Sequence, residues 1–163
     1  MKKTNMRAGF TMIELIFVIV IIGILAAIAM NKLSATRDDA AISKIVANTK
    51  TIVNDAKAYY TAQGLEKWKT ATISDVTDVP LYTACSSNGN TQADTNVTLD
   101  GNRSFYFCAN GESVVQIDAN DTHITISDGN GTGTVAIAVK NNPTFKALKK
   151  STRLGGTGVN FNN

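Results

Sequence analysis

The chain has 163 residues, of which 44% are hydrophobic and 18% charged, a composition typical of one globular domain. Its two cysteines exclude a four-thiolate zinc site or an iron–sulfur cluster, and its one histidine, His123, excludes a two-histidine metal motif. The net charge of +3 arises at Lys2, Lys3 and Arg7, so it indicates little about nucleic-acid binding.

An apolar stretch follows this basic segment. From Ile13 to Met30 the only ionisable side chain is Glu14. As a helix, residues 10–30 would be about 31 Å long, close to the ~30 Å hydrocarbon core of a bilayer. The positive-inside rule would hold the basic end in the cytoplasm. The pattern therefore predicts a membrane-spanning segment, with the rest of the chain on the far side of the membrane.

An ordinary secretory signal peptide is the alternative interpretation. The triplet Ala27-Ile28-Ala29 fits a small-x-small cleavage site after an apolar core. Two features count against it. Glu14 lies near the start of the apolar run, and that run exceeds the ~7–15 residues of a signal-peptide core.

The start of the apolar run resembles a known processing signal. The stretch AGFTMIEL (8–15), followed by IIGILAAIA (21–29), is similar to the signal of prepilins, the precursors of type IV pilins and of the pseudopilins of type II secretion and DNA-uptake machines. The resemblance implies that a prepilin peptidase cleaves between Gly9 and Phe10 and methylates the new amine of Phe10. It also implies that the apolar helix stays with the protein.

One position departs from this family pattern. Many pilins carry a proline where this chain has Asn31. A proline removes a helix hydrogen bond and kinks the axis, whereas here Gly23 is the only weak point of the apolar helix. The missing proline removes one basis for predicting that the helix loosens inside a filament.

Glu14 is the candidate assembly residue. An unpaired carboxylate in a membrane costs several kcal/mol, so an intramembrane acid normally has a partner. Cleavage after Gly9 would create a cation, the amine of Phe10, which stays protonatable after methylation. Pairing within one chain is one hypothesis, because Phe10 and Glu14 lie on one helix face. Pairing between neighbours is the other, because a head-to-tail contact that does not close generates a filament.

An amphipathic continuation of the helix is predicted beyond the apolar run. Gly64 is the expected stop, which gives one helix over 10–63. The predicted division is a leader (1–9), a transmembrane or filament-core helix (10–30), an amphipathic helix (31–64) and a globular head (65–163). The apolar positions of the amphipathic part recur with helical period and form one stripe: Ile42, Ile45, Val46, Thr49, Ile52, Val53, Ala56 and Tyr60.

The predicted fold is α+β and pilin-like, with the long helix packed on an antiparallel sheet of about four strands joined by short connections. A short helix is expected within 73–80, a surface loop over 88–102, and Trp68 as a packing residue. Asn142 and Pro143 are expected to begin a helix that ends at Lys150, followed by a late strand at 159–161. The strands expected from β-prone runs are 104–108, 113–118, 123–127 and 134–139.

Cys85 and Cys108 suit an exported chain. Two cysteines in an oxidising compartment can close one disulfide, and closing a loop of this length stabilises a fold by about 3 kcal/mol in the chain-entropy model. A redox function would require a second cysteine nearby in sequence. A structural disulfide is therefore predicted.

Other polar clusters have simpler interpretations. Asp118, Asp121 and Asp128 are weak calcium candidates, because some pseudopilins bind calcium in this region, but turn chemistry explains them without a metal and no cofactor is expected. His123 lacks an orienting acid in sequence. DNA contact is the less favoured interpretation of a carboxyl-terminal basic cluster, with a solvated face preferred: Lys140, Lys146, Lys149, Lys150 and Arg153.

These observations predict a structural filament subunit rather than an enzyme, because no nucleophile–base–acid set can be assembled. The resemblance implies a pseudopilus of type II secretion or a type IV pilus-like filament, held in the bacterial inner membrane with a periplasmic head. Implied partners are membrane lipid, further copies, minor pilins, the peptidase, and a platform protein with a separate ATPase. The alternatives are a non-polymerising anchored adhesion module and a DNA-uptake pseudopilin.

We predict that processing occurs at the Gly9–Phe10 bond and not after Ala29, because the leader, Phe10 and Glu14 form one signal. Mass spectrometry of the mature chain should give an amino terminus at a methylated Phe10. A mature chain that begins at Met30 would contradict the prepilin interpretation.

Overall fold

The computed structural model describes residues 10–101 and 103–155, and the chain divides into two compact units, Met1–Arg37 and Asp38–Asn163. The described residues form four helices and six strands. In chain order the elements are α1 (Met12–Thr70), α2 (Ile73–Val76), β1 (Tyr82–Ala84), β2 (Thr91–Gln92), β3 (Ser104–Ala109), β4 (Glu112–Ala119), β5 (His123–Asp128), α3 (Thr134–Asn141), α4 (Pro143–Leu148) and β6 (Ser151–Arg153).

The first part of α1, up to Arg37, exposes its apolar side chains. Every Val, Ile, Leu, Met and Phe side chain from Phe10 to Leu33 is exposed. Among the described residues, α1 is the one helix long and apolar enough to cross a membrane by length and composition. Exposed apolar surface of this extent needs lipid or other protein to cover it.

The second part of α1 supplies one wall of the core of the head. The predicted stripe is confirmed, because its members from Ile45 to Tyr60 are buried and Ile42 is half-buried. The one polar member, Thr49, is fully buried and donates its hydroxyl to the Ile45 carbonyl at 2.7 Å. The stripe packs into a single hydrophobic core with the inner face of the sheet.

The predicted stop at Gly64 is confirmed as a break in the helix, but a second helical segment, which the sequence pattern does not predict, follows it and continues to Thr70. Gly64 interrupts α1 with φ 79° and ψ 179°, a backbone conformation that glycine adopts without a steric penalty. The segment beyond Gly64 is held by Trp68, which is fully buried and donates its ring N–H to the Asn120 carbonyl at 3.0 Å. Burial of this side chain favours another helical turn, and it confirms Trp68 as a packing residue.

The sheet has six antiparallel strands rather than about four, in the order β2-β1-β3-β4-β5-β6. Its centre, β3 to β5, matches three of the predicted strands. The extra strands β1, β2 and β6 lie towards the two ends of the sheet, and with two or three residues each they carry too little apolar alternation to be detected in the sequence. Side chains of the central strands alternate between buried and half-buried positions, so one face of the sheet packs on the core.

The fourth predicted strand, 134–139, is wrong because the segment forms helix α3. Val135, Ala136 and Val139 are its buried residues, a spacing that suits one helix face as well as a strand's apolar run. The start of this helix is fixed from outside the segment: the Glu112 carboxylate accepts the N–H groups of Thr132 at 2.9 Å and Gly133 at 2.7 Å. A residue so distant in sequence could not be assigned this role by local pattern.

The remaining predictions have mixed outcomes. The short helices are confirmed as α2 and α4, although α4 ends at Leu148 and not at Lys150. Asn142 caps α4 by accepting the N–H groups of Thr144 and Phe145. The stretch 88–102 is not simply a surface loop, because it contains β2 and the buried residues Ala93 and Leu99. The late strand expected at 159–161 lies outside the described residues.

The structure joins Cys85 and Cys108 by a disulfide bond, with their Cα atoms 5.6 Å apart. Cys85 directly follows β1, and Cys108 lies in β3. The bond therefore ties the edge hairpin of the sheet to its central strands.

We predict that Glu112→Ala lowers the free energy of unfolding by about 2 kcal/mol, because two N–H groups lose a charged acceptor. Urea unfolding of the full chain in detergent, followed by the fluorescence of the single tryptophan, measures this. The control is Glu66→Ala, since the Glu66 side chain is 88% exposed and its ion pair with Lys69 contributes little. Equal stability of the Glu112→Ala and control variants would contradict the role assigned to Glu112.

Candidate functional site

The start of α1 forms a closed set of hydrogen bonds between Thr11 and Glu14. The backbone N–H and the hydroxyl of Thr11 each donate to Glu14 Oε2 at 2.8 Å. In return, the Glu14 N–H donates to the Thr11 hydroxyl oxygen at 3.3 Å. This reciprocal arrangement is a capping box, which satisfies helix N–H groups that have no intrahelical acceptor.

The capping box gives the Glu14 carboxylate a partner that the sequence analysis did not consider. Both earlier hypotheses pair Glu14 with the Phe10 amine, but here the contacts come from Thr11. The signal was present in the sequence, because Thr11 and Glu14 have the Thr-x-x-Glu spacing of a capping box. Of the predicted processing residues, Phe10 is 82% exposed and Gly9 lies outside the described residues.

The three calcium candidates are not gathered into one site. Asp118 accepts the Ser104 hydroxyl at 2.6 Å, whereas Asp128 pairs with Lys149 at 2.6 Å and Asp121 lies 4.0 Å from the Lys69 ammonium. Within 10–101 and 103–155 there is no group of three or more His, Cys, Asp or Glu side chains placed to hold a metal ion.

A surface depression beside Trp68 contains an acidic residue that the sequence analysis missed. Lys69, Asp100, Asn120 and Asp121 line it. Burial raises the pKa of Asp100 above its usual range, and the neighbouring Asp121 carboxyl raises it further. Asp100 and Asp121 lie in loop 93–101 and in the β4–β5 turn, which only tertiary folding brings together. Their spacing in the sequence therefore could not predict the contact.

The basic cluster near the carboxyl end is partly engaged within the head. The Lys140 ammonium donates to the Gly131 carbonyl at 2.6 Å, and Lys149 pairs with Asp128. Lys146, Lys150 and Arg153 are exposed. Both lysines are therefore tied to the segment from the end of β5 to the start of α3, and the charge of Lys149 is offset by the Asp128 carboxylate.

Comparison with known proteins identifies the amino-terminal segment. A sequence model of the prokaryotic N-terminal methylation motif matches residues 4–30, the prepilin-type signal of type IV pilins and pseudopilins. No curated protein and no solved structure matches the chain. The matched segment contains Gly9, Phe10 and the Thr11–Glu14 capping box.

The motif and the fold together define a class of protein. The chain carries the signal of a type IV pilin-like or pseudopilin-like precursor, and its long amino-terminal helix packs on an antiparallel sheet as in the pilin-like fold. Its apolar helix and signal indicate a membrane-anchored protein. The motif favours a structural subunit that is not an enzyme.

We predict that Thr11→Val frays the start of α1 in a membrane, because it removes the hydroxyl that both donates to and accepts from Glu14. Amide hydrogen exchange of Glu14 in bicelles should become severalfold faster than in the unchanged chain, because its N–H loses the Thr11 hydroxyl as acceptor. Thr11→Ser keeps the hydroxyl and is the matched control. Unchanged exchange in Thr11→Val would show that the capping box does not hold this end of the helix.

Proposed function

We propose that the protein is a structural subunit of a type II secretion pseudopilus or a type IV pilus-like filament. It is stored in the bacterial inner membrane with its amino end in the cytoplasm and its head in the periplasm. Prepilin peptidase then removes residues 1–9 and methylates Phe10, and the mature chain polymerises. The observation that carries the proposal is an exposed apolar helix with a single carboxylate next to a matched processing signal.

The exposed apolar surface gives the driving force for both states of such a subunit. In the membrane, lipid covers the side chains from Phe10 to Leu33. In a filament, the same side chains pack against the helices of neighbouring copies. Because both environments are apolar, transfer between them costs little hydrophobic free energy, and polar contacts decide which state is favoured.

Glu14 provides that polar contact in our proposal. Before assembly, Thr11 satisfies its carboxylate within one chain. After cleavage, the Phe10 amine is a stronger partner, since a hydrogen bond between two charged groups exceeds one to a neutral donor. A pair formed between neighbouring subunits satisfies both charges inside the packed helices, and its head-to-tail geometry generates a filament.

The remaining partners follow from the class of protein. Besides the peptidase, the proposal requires minor pilins and a platform protein with a separate assembly ATPase, because no phosphate-binding loop occurs in this sequence. A compact head with a small sheet favours protein secretion over adhesion by a large pilin. The ion pair of Lys149 with Asp128 lowers the net charge of the basic cluster, which makes DNA uptake the weaker candidate.

We predict that Glu14→Ala leaves the protein folded and inserted but prevents its incorporation into filaments. Removing a carboxylate should favour insertion, because such a group costs about 2.5–3.5 kcal/mol at membrane depth on translocon scales. Assembly should fail because the Phe10 amine would enter the helix bundle without a partner. The measurement compares abundance in membranes with yield in sheared filaments.

The matched control is Asp39→Ala, which removes an exposed acid from the same helix outside the apolar run. It should leave both the membrane abundance and the filament yield unchanged. Normal filaments from Glu14→Ala would contradict the inter-subunit pair. Filaments absent from every variant, including the unchanged chain, would contradict polymerisation itself and favour an anchored binding module.

A further inference from the structure

Four asparagines of the head have the same local sequence. Asn96, Asn102, Asn120 and Asn130 are each followed, two positions later, by Ser or Thr, with a residue other than proline between. This Asn-x-Ser/Thr pattern is the acceptor sequence for N-linked glycosylation of exported proteins. Each of the four also has an aspartate two positions earlier: Asp94, Asp100, Asp118 and Asp128.

The shared aspartate is not expected from composition. Acidic residues are 13 of 163, about one position in twelve. Four acids at four such positions therefore indicate a longer pattern, Asp-x-Asn-x-Ser/Thr, and not the three-residue pattern alone. Two of these five-residue stretches, 94–98 and 128–132, lie in different connections of the head.

The structure presents Asn96 at the tip of an exposed turn. Asp94, Thr95 and Asn96 are three consecutive exposed residues. The Asn96 N–H donates to the Asp94 carboxylate at 2.9 Å, and the Val97 N–H donates to the Asp94 carbonyl at 3.1 Å. These bonds form a turn that Asp94 stabilises, and Asn96 lies exposed on this turn.

The turn is anchored by its backbone and not by the Asn96 side chain. The carbonyls of Thr95 and Val97, on either side of Asn96, accept the N–H groups of Ser74 and Ile73 at 3.1 and 2.9 Å. The segment is thus held on the head while the Asn96 carboxamide remains at the surface. An enzyme can reach this carboxamide without unfolding the head.

The other two described asparagines of the set are exposed as well, but each lies in a turn that is bound more tightly than the turn at Asn96. Asn120 Oδ1 accepts the N–H groups of Thr122 and His123 at 3.2 and 2.9 Å, so its side chain closes the β4–β5 turn. Asn130 is also exposed, but its own N–H and those of the glycines on either side all donate to β4, so its backbone is held against the sheet. Asn102 lies outside the described residues.

We propose that Asn96 is an N-glycosylation site of the exported protein, used by a transferase that recognises both the acid two positions before and the hydroxyl two positions after the asparagine. The sugar donor is a lipid-linked oligosaccharide pyrophosphate. The Asn96 Nδ2 atom attacks the anomeric carbon, a C–N bond forms, and the bond from that carbon to the phosphate oxygen breaks. The lipid pyrophosphate leaves, and a base of the transferase takes the amide proton.

The aspartate has two separable properties in this proposal. Its carboxylate shapes the turn by accepting the Asn96 N–H, and its negative charge can pair with a cation of the transferase. Asp94→Asn keeps an oxygen that accepts the same N–H but removes the charge. Asp94→Glu keeps the charge and lengthens the side chain. The two variants therefore distinguish recognition of charge from a role in turn shape.

The experiment is peptide mass spectrometry of the full-length mature protein from the membranes and filaments of its native cells. The proposal rests on export of the head, and the same spectra test that step, because the processed terminus at Phe10 is read separately from the Asn96 peptide. We expect a hexose- or N-acetylhexosamine-containing glycan on Asn96 and none on Asn90, an exposed asparagine without the hydroxyl two positions later.

Asn96→Gln should abolish the modification of this peptide while leaving the Phe10 terminus intact. Asp94→Asn should lower the glycosylated fraction at least tenfold, and Asp94→Glu should retain most of it. An unmodified Asn96 in correctly processed protein would overturn the proposal. Equal glycosylation of Asp94→Asn and the unchanged chain would overturn recognition of the acid.

Discussion

A carboxylate within an apolar helix is the constraint on which this protein depends. Glu14 is the only ionisable side chain from Ile13 to Met30, and neither lipid nor the apolar side chains of neighbouring helices can satisfy it. In the single chain, Thr11 does so through a capping box. Any environment that the helix enters must supply an equal or better partner, and under the proposed function this makes Glu14 the group through which cleavage of the leader controls assembly.

The two parts of α1 differ in what covers their apolar side chains. The stripe from Ile45 to Tyr60 is buried on the sheet, whereas the large apolar side chains from Phe10 to Leu33 are exposed. Long-range contacts complete the head: Trp68 bonds to the β4–β5 turn, Glu112 fixes the start of α3, and the disulfide holds the edge hairpin. A stable head of this kind can be carried on a helix that changes its surroundings.

Sequence patterns predicted the parts of this structure that are local and periodic. The stripe of α1, the central strands and the Asn142-Pro143 helix start follow from spacing and capping rules. Segment 134–139 was assigned wrongly, because buried Val and Ala suit either a strand or a helix face, and the deciding carboxylate is on Glu112. The helical segment beyond Gly64 depends on burial of Trp68, which local spacing does not reveal. The Asp100–Asp121 pair depends on the folding of two separate loops against each other. At the amino-terminal site, the matched motif contains the predicted processing residues Gly9 and Phe10, whereas the contact between Thr11 and Glu14 was not predicted.

The most direct test of the inter-subunit pair is solid-state nuclear magnetic resonance on filaments of mixed labelling. Half of the subunits carry ¹⁵N and the other half ¹³C, so that any ¹⁵N–¹³C transfer crosses a subunit boundary. We predict a cross-peak between the methylated Phe10 amine and the Glu14 carboxylate carbon. A cross-peak seen only when doubly labelled subunits are diluted in unlabelled ones would contradict this account, because the pair would then lie within one chain.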